Sequence, residues 1–189
     1  LSSKQSFIFS SIDMALEAVR NILRADARPA VVRIFDDLET ERYFGIQGKV
    51  TVIFISEGEP DFVIPESSLI SRIAEKNGGS PLGENPVEIW LRKRFDIGLG
   101  PVMMQQGGIV DTIEVVSLFK DAASLYEDMI ASMRAVEGTI YVSGHFSHFY
   151  REGACLYVSF AGFSQEPHRY YKEIWTAAME ATARNNGSI

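Results

Sequence analysis

The sequence predicts an α+β domain of the ferredoxin-like type, in which helices pack on one face of an antiparallel sheet. Three observations predict this fold. Strand-like and helix-like segments alternate along the chain, two strand–helix–strand passages occur, and a β-hairpin stands near the C-terminal end. Elements that interleave in this way form layered domains, and the hairpin favours antiparallel pairing.

The first half of the chain supplies three predicted strands and four predicted helices. Apolar residues at helical spacing from Ile12 to Leu23, after a capping serine, predict the first helix. Runs of β-branched and aromatic residues predict the strands, and Pro86 suits the first turn of a helix. The strands are expected at residues 6–9, 30–35 and 49–56, and the helices from Ser10 or Ser11, at 37–44, at 66–77 and from Asn85.

The second half begins with an irregular segment, residues 98–108, and then returns to regular structure. An alternating strand is followed by a long helix with an apolar stripe. Two further strands, joined by a turn at residues 151–153, form the hairpin. The strands are expected at residues 109–116, 139–150 and 154–163, and the helices from Asp121 and from about Glu166.

Composition and charge fit one compact domain and exclude several classes of protein. The chain has 189 residues, 46% of them hydrophobic and 11% aromatic, enough for one substantial core. The formal net charge of −7, without any block of like charges, argues against nucleic-acid binding. No apolar stretch approaches the roughly 20 residues of a membrane span and no signal peptide is visible, so a cytoplasmic location is expected.

Three strands each place polar side chains on the face that the helices leave open. Side chains alternate between the two faces of a strand. The apolar neighbours of Arg33 and Glu114 are expected to pack on the helices, so both charged residues face away. The same reasoning turns Tyr157 and Ser159 to the open face, together with the single cysteine, Cys155, which fits a small packed thiol.

Two interpretations of this face stay open. Antiparallel sheets often expose one face to solvent, and such a face carries many Lys, Glu and Thr residues. Here the neighbours of the polar groups are largely apolar, as Val31, Phe35 and Val116 show. Isolated polar groups on an apolar surface are more typical of a ligand site or a domain interface.

The three histidines do not predict a metal site. His145 and His148 are three residues apart on one predicted strand. They are therefore expected to face opposite sides of the sheet and not to bind one metal together. His168 follows a proline at a helix start, where exposure is expected. His148 stays a candidate that would need partners from elsewhere.

A small basic cluster, Arg92-Lys93-Arg94, lies on a predicted helix. A solvated basic patch is its ordinary interpretation. Alternatively, one of these side chains binds an anion, because the planar guanidinium group suits phosphate and carboxylate. Tyr157 likewise has two interpretations, a packed aromatic ring or a catalytic phenol.

Three segments of the chain, in this order, resemble one protein family. They are residues 27–36 (ARPAVVRIFD), 110–115 (VDTIEV) and 147–157 (SHFYREGACLY). Together they resemble the C-terminal domain of FAD-linked oxidases of the vanillyl-alcohol-oxidase superfamily, and most of all the alkyldihydroxyacetonephosphate synthases. The resemblance covers nearly the whole chain, and the order and spacing of the segments carry it.

The resemblance implies a function for the domain. In the family, an N-terminal domain holds most of the FAD, while the C-terminal domain caps the flavin with its open sheet face and binds substrate. The implied reaction, a step of ether lipid biosynthesis, exchanges the acyl group of acyl-dihydroxyacetone phosphate for a long-chain alcohol without net redox change. The expected partners are the FAD-binding domain of the same chain, a small phosphate-bearing or hydroxyacid substrate, and a second copy in a homodimer.

Site residues follow from the resemblance and from the polar face. Tyr157 matches the active-site tyrosine of a Gly-Ala-Cys-x-Tyr motif and is expected to be catalytic. Arg33 matches the arginine of an Arg-x-x-Asp strand, and Arg94 matches an arginine at the substrate site. His148 and Glu114 are expected to join them in binding substrate. Guanidinium groups suit a phosphate head group, and a phenol suits proton transfer.

The resemblance also bears on the extent of the chain. The family's histidine-rich Ser-His-His-His-Gly segment would follow Ser188, close to the last residue of this sequence, and no glycine-rich FAD loop is present. Residues 1–189 are therefore expected to be a domain excised from a longer chain, with the FAD-binding domain N-terminal to it. Alone, the fragment is expected to bind FAD poorly and to be inactive, which a retained flavin spectrum would contradict.

Two other functions stay open. The chain could be the cap domain of an FAD-dependent 2-hydroxyacid oxidase or dehydrogenase, whose relatives carry metal-binding histidines. His148 would match the first of these, but Tyr157 stands where the second is expected. It could also be a stand-alone ferredoxin-like binding module without catalysis. Metal analysis of the full-length protein and its reading frame separate these alternatives.

Overall fold

The computed structural model describes residues 1–96 and 100–189, which contain seven strands and seven helices. The strands are β1 (Ser2–Phe9), β2 (Val31–Phe35), β3 (Val50–Glu57), β4 (Ser80–Pro81), β5 (Ile109–Leu118), β6 (Thr139–Ser147) and β7 (Gly153–Gly162). The helices are α1 (Ile12–Arg24), α2 (Asp37–Phe44), α3 (Pro60–Lys76), α4 (Asn85–Lys93), α5 (Gly100–Gln105), α6 (Phe119–Arg134) and α7 (Pro167–Arg184).

The seven strands form one sheet in the order β4-β1-β3-β2-β6-β7-β5, and every neighbouring pair is antiparallel. Two units of the same connectivity build most of it. They are β1-α1-β2-α2-β3-α3 and β5-α6-β6-β7-α7, which share one connectivity apart from the inserted α2, and in each the last strand lies between the first two. The units meet where β2 pairs with β6. The α+β prediction is confirmed, and the duplication appears in the topology although the sequence shows no repeat.

The main core lies between the sheet and the four long helices α1, α3, α6 and α7. Every second residue of the strands faces this core from the sheet, and Ile34, Ile113 and Leu156 are fully buried examples. Fully burying one such aliphatic side chain stabilises a fold by about 1.5–3 kcal/mol. In the residues described, no helix combines the length and the apolar character of a membrane span.

Two short helices, α2 and α4, lie on the other face of the sheet, over β1, β3 and β2. Lys4 of β1 forms an ion pair with Glu88 of α4 at 2.6 Å, and Trp90 packs with Ile53 and Ile55 of β3. Because β3 is buried on both faces, its apolar residues run consecutively rather than alternating. The predicted one-sided helix layer therefore holds for only part of the sheet.

We call β1, β3 and β2 the covered half of this second face, and β6, β7 and β5 the open half. On the open half, α2 approaches β6, and Gly100 of α5 lies beside Val110 at the beginning of β5. Several residues that face outward here are partly or wholly exposed, as Glu114, Tyr157 and Ser159 are, whereas His145 and Cys155 are buried. The open half is therefore the surface that the alternation of polar residues predicts.

Several boundaries differ from the expected ones. Helix α3 begins at Pro60 because proline suits a first helical position, and β1 begins at Ser2, where polar residues still pair with β3. Strand β6 ends at Ser147, since His148 adopts a left-handed conformation with φ of 49°. The segment predicted as irregular contains α5, and its residues 98 and 99 lie outside the described residues. The short strand β4 was not predicted.

Candidate functional site on the open half of the sheet

Four side chains form a line across four neighbouring strands of the second face. In the strand register Phe35 lies opposite His145, His145 opposite Tyr157, and Tyr157 opposite Glu114. We call these four residues the cross-strand row. The imidazole of His145 stacks on the ring of Tyr157, with centroids 5.0 Å apart and planes 10° from parallel. The row begins under α2 and ends on the open half.

Tyr157 lies at the centre of the open part of the row. Its hydroxyl is 3.0 Å from Nδ1 of His148, and it also hydrogen-bonds Glu114. Burial, and then the neighbouring Glu114 carboxylate, raise the pKa of Tyr157 well above its usual range. The phenol is therefore neutral at physiological pH and acts as a hydrogen-bond donor.

His148 corrects one expectation from the sequence. It was expected to sit on a regular strand and to face away from His145. Because its left-handed backbone follows the end of β6, its side chain reaches the hydroxyl of Tyr157, while His145 stacks on the ring of the same residue. The two histidines thus share one neighbour. Among the described residues, no three His, Cys, Asp or Glu side chains converge as a metal site requires.

Arg33 approaches the row from β2. Its guanidinium group donates to Nε2 of His145 and lies near the rings of Phe35 and Trp90, at 5.5 and 5.9 Å. Burial lowers the pKa of Arg33, while the charge of Glu39 acts in the opposite direction, so the group stays a cation. Its Nε–H is buried and has no acceptor among the described residues. An unpaired buried donor costs about 1–3 kcal/mol, which an acceptor from a ligand would recover.

Glu39, in the first turn of α2, contacts the cross-strand row, although the sequence did not single it out. Its Oε1 is 3.0 Å from Nδ1 of His145, and its side chain is 8% exposed. His145 was considered only as a metal ligand. In the β6–β7 hairpin, His145 lies opposite Tyr157. This pairing could have been predicted from the sequence by counting residues from the turn along both strands.

Glu114 and Cys155 form the other end of the site. The thiol of Cys155 donates to Oε1 of Glu114 at 3.2 Å. This bond and the one from Tyr157 hold the pKa of Glu114 below its usual range. Burial first, and then Glu114, raise the pKa of Cys155 to about 12. The cysteine is a buried thiol, as expected, and it lies on the second face, where the alternation of side chains placed it.

Arg94 follows α4, and its guanidinium group lies over the rings of Trp90 and Phe95, at 5.6 and 4.8 Å. Because Arg33 contacts the same Trp90 ring, the structure brings the two arginines to one aromatic side chain. Of the five predicted residues, Tyr157, His148 and Glu114 are in direct contact. Arg33 is connected to them through His145, which contacts both Arg33 and Tyr157. Arg94 contacts the Trp90 ring.

Two cavities flank His148. One, of about 380 Å³, is lined by Arg33, Trp90 and His148 among others. The other, of about 670 Å³, extends along β5 and is lined by Glu114, Cys155 and His148 together with apolar neighbours. Polar side chains beside two cavities on one sheet face are typical of a ligand-binding face of an α+β domain.

The chain belongs to the family of FAD linked oxidases, C-terminal domain, whose model matches residues 5–189. It is 22% identical to the alkyldihydroxyacetonephosphate synthase of Dictyostelium discoideum over 85% of the chain and 31% of that protein. It is 20% identical to the synthase of the same name from Trypanosoma brucei brucei, over 98% of the chain and 36% of that protein. The chain thus spans about a third of the length of these relatives.

Solved structures show the same fold. An alkyldihydroxyacetonephosphate synthase superimposes over 100% of the chain and 40% of its own length, with a TM-score of 0.86 and 22% identity. The 4-ethylphenol oxidase from Gulosibacter chungangensis, in complex with isoeugenol, superimposes over 100% of the chain and 45% of its own length. Its TM-score is 0.70 and its identity 14%. The chain is therefore the C-terminal domain of a flavoprotein, and its family implies the use of FAD.

Proposed function

We propose that the chain is the substrate-binding cap domain of an FAD-dependent enzyme that resembles alkyldihydroxyacetonephosphate synthase. One observation carries the proposal. The open half of the sheet presents Tyr157, bonded to His148 and Glu114, next to a cationic Arg33 that has a free buried N–H. The proposed reaction joins acyl-dihydroxyacetone phosphate and a long-chain alcohol, and releases the fatty acid as the alkyl product forms.

FAD is expected to be held mainly by an FAD-binding domain N-terminal to this one, with its ring against the open half. The residues present fit a flat ring with polar edges. The surface is a sheet face that carries the Tyr157 ring, and it offers the unpaired Nε–H of Arg33 as a donor. When bound, FAD supplies the isoalloxazine ring on which the reaction depends.

Each predicted residue has a role that its surroundings support. Arg33 and Arg94, which share the Trp90 ring, bind the phosphate of the substrate. Tyr157 is the catalytic residue and donates a hydrogen bond to a reacting oxygen, because its raised pKa suits a donor and not a base. His148 and Glu114 orient its hydroxyl and line the substrate cavity.

The alternatives are weaker on these observations. A 2-hydroxyacid oxidase of the metal-binding type needs a second histidine where Tyr157 stands, and His148 is engaged by that tyrosine. A stand-alone binding module without catalysis is disfavoured by membership of a family of FAD-linked enzymes. We further propose that residues 1–189 alone bind FAD weakly and are inactive. A flavin spectrum that persists through purification of this fragment would contradict that.

The test is Tyr157→Phe in the full-length enzyme, assayed with palmitoyl-dihydroxyacetone phosphate and hexadecanol. Loss of the hydroxyl should lower kcat about 100-fold while flavin absorbance is retained. The matched control, Tyr171→Phe, removes a phenol that donates to Asp111 from α7, on the helix side, and should keep wild-type activity. Unchanged kinetics of Tyr157→Phe would remove this residue from catalysis. A wild-type enzyme that oxidises 2-hydroxy acids and ignores these substrates would establish the alternative.

A further inference from the structure

We propose that Glu39 and His145 are positioning residues, which together hold the guanidinium group of Arg33 at the substrate site. The inference rests on the proposed function, since it assumes that Arg33 binds substrate. It extends the site from the open half into the covered half, because Glu39 belongs to α2. Neither residue is needed to touch the substrate.

The contacts fix the protonation pattern of His145. A guanidinium group carries only donors, so Nε2 of His145 must be the acceptor of its contact with Arg33. The proton of a neutral imidazole then lies on Nδ1, which donates to Oε1 of Glu39 at 3.0 Å. Glu39 thus selects the one neutral tautomer that can bind Arg33.

The surroundings of Arg33 explain why such an anchor is needed. Its planar group lies against the aromatic rings of Phe35 and Trp90, which favour a stacked cation but do not fix its rotation. The hydrogen bond to His145 supplies that direction. With one edge of the guanidinium group engaged, the unpaired Nε–H stays available for a ligand.

His145 also contacts the proposed catalytic tyrosine. Its ring is nearly parallel to that of Tyr157, so one imidazole touches both Arg33 and Tyr157. A role in stability alone does not explain why a carboxylate, Glu39, lies at this position. Glu39 is almost fully buried, and its Oε2 has no partner among the described residues. A buried charge with half its acceptor capacity unused adds little to stability.

Three substitutions of His145 in the full-length enzyme separate the contacts. His145→Gln places an amide oxygen near the former Nε2 and keeps an acceptor for Arg33. His145→Asn reaches only the position of Nδ1, and His145→Phe keeps the stacked ring without either nitrogen. We expect the KM for palmitoyl-dihydroxyacetone phosphate to rise about tenfold or more in the Asn and Phe variants, and much less in the Gln variant.

A double-mutant cycle with Arg33→Met then decides whether His145 acts through Arg33. If it does, His145→Asn should raise KM in the wild-type background and add almost nothing when Arg33 is already replaced. Glu39→Leu should behave as His145→Asn does. Flavin content and the unfolding midpoint are measured for each variant. The Gln and Asn pair, which differ by one methylene group, carries the comparison if His145→Phe does not fold.

The outcomes distinguish this inference from the proposed function. If Arg33→Met raises KM but His145→Asn and His145→Gln are both like wild type, the proposed function stands and the positioning role is wrong. If His145→Asn has the same cost with and without Arg33, His145 acts independently and the positioning role is again wrong. If Arg33→Met leaves the kinetics unchanged, the substrate role of Arg33 fails, and the positioning role fails with it.

Discussion

The covered and open halves of the second sheet face share one connectivity but differ in what lies above them. In the covered half, Ile53, Ile55 and Phe35 are buried beneath Trp90 of α4 and the aromatic residues of α2. In the open half, the corresponding outward positions hold Tyr157, Glu114 and Ser159, without a comparable helix layer in the described part of the chain. The same strand arrangement therefore supports a core on one side and the candidate site on the other.

On the open half, hydrogen bonds between side chains take the place of an apolar layer packed on the sheet. Its polar side chains bond to one another across the strands. Thr112 pairs with Ser159 at 2.9 Å, and Cys155 donates to Glu114 at 3.2 Å. Such side-chain hydrogen bonds each add only about 0.5–1.5 kcal/mol. We infer that the covered half dominates stability, while the open half is available for function.

The largest expected effect tests this division by removing aliphatic carbons from each half. Ile53 is fully buried in the covered half, so Ile53→Ala should lower the free energy of unfolding by about 2–5 kcal/mol. Val116 lies on the open half and is 44% exposed, so Val116→Ala should cost less than about 1 kcal/mol. Urea unfolding followed by circular dichroism measures both. Equal losses would show that the two halves contribute alike.

The second prediction concerns Asp36, at the junction of the halves. Its carboxylate accepts hydrogen bonds from the backbone N–H groups of Glu39 and Gly144, at 2.8 and 2.5 Å, and from the hydroxyl of Tyr126. Burial nevertheless raises its pKa from 3.8 to about 7. Because the folded state then binds this proton more tightly than the unfolded state, the contribution of Asp36 to stability is greatest at low pH and falls as pH rises from about 4 to about 7.

Asp36→Asn removes this titration. The stability of the wild type relative to Asp36→Asn should therefore fall with rising pH, by up to about 4 kcal/mol across that window. Urea midpoints measured at several pH values give the difference. The neighbouring Asp37 is exposed, so Asp37→Asn should follow the wild type throughout. A constant difference between wild type and Asp36→Asn would contradict the assignment.

Much of the fold could be predicted because its strands alternate clearly. The alternation around Arg33, Glu114 and Tyr157 correctly separated the helix side from the other face. The covered half escaped prediction since α2 and α4 are short, and their few apolar residues, such as Trp90, do not indicate which face they cover. The consecutive apolar residues of β3 indicate that both faces of this strand are buried. The sequence does not indicate which helices cover its second face.

The placement of the candidate site residues was predicted in part for a similar reason. Tyr157 and Glu114 belong to regular strands, so alternation placed them on one face. His148 follows the strand in a left-handed conformation, which no alternation rule describes, and it was assigned to the wrong side relative to His145. Glu39 joins the site from a helix far away in sequence. Such a contact depends on how α2 is placed over β2 and β6, and local pattern does not determine that.

The smallest expected effect probes the edge of the open half through Cys155. The thiol is 3% exposed, and burial together with Glu114 keeps it protonated. Only the thiolate reacts with iodoacetamide, so alkylation at about pH 8 should be slow. Glu114→Gln removes the negative charge beside the sulfur and should speed alkylation several-fold, by roughly 3–10 times. Glu152→Gln, which changes another carboxylate lining the same cavity, should not. Equal rates in the two variants would mean that burial alone protects the thiol, and that the charge of Glu114 acts on Tyr157 rather than on Cys155.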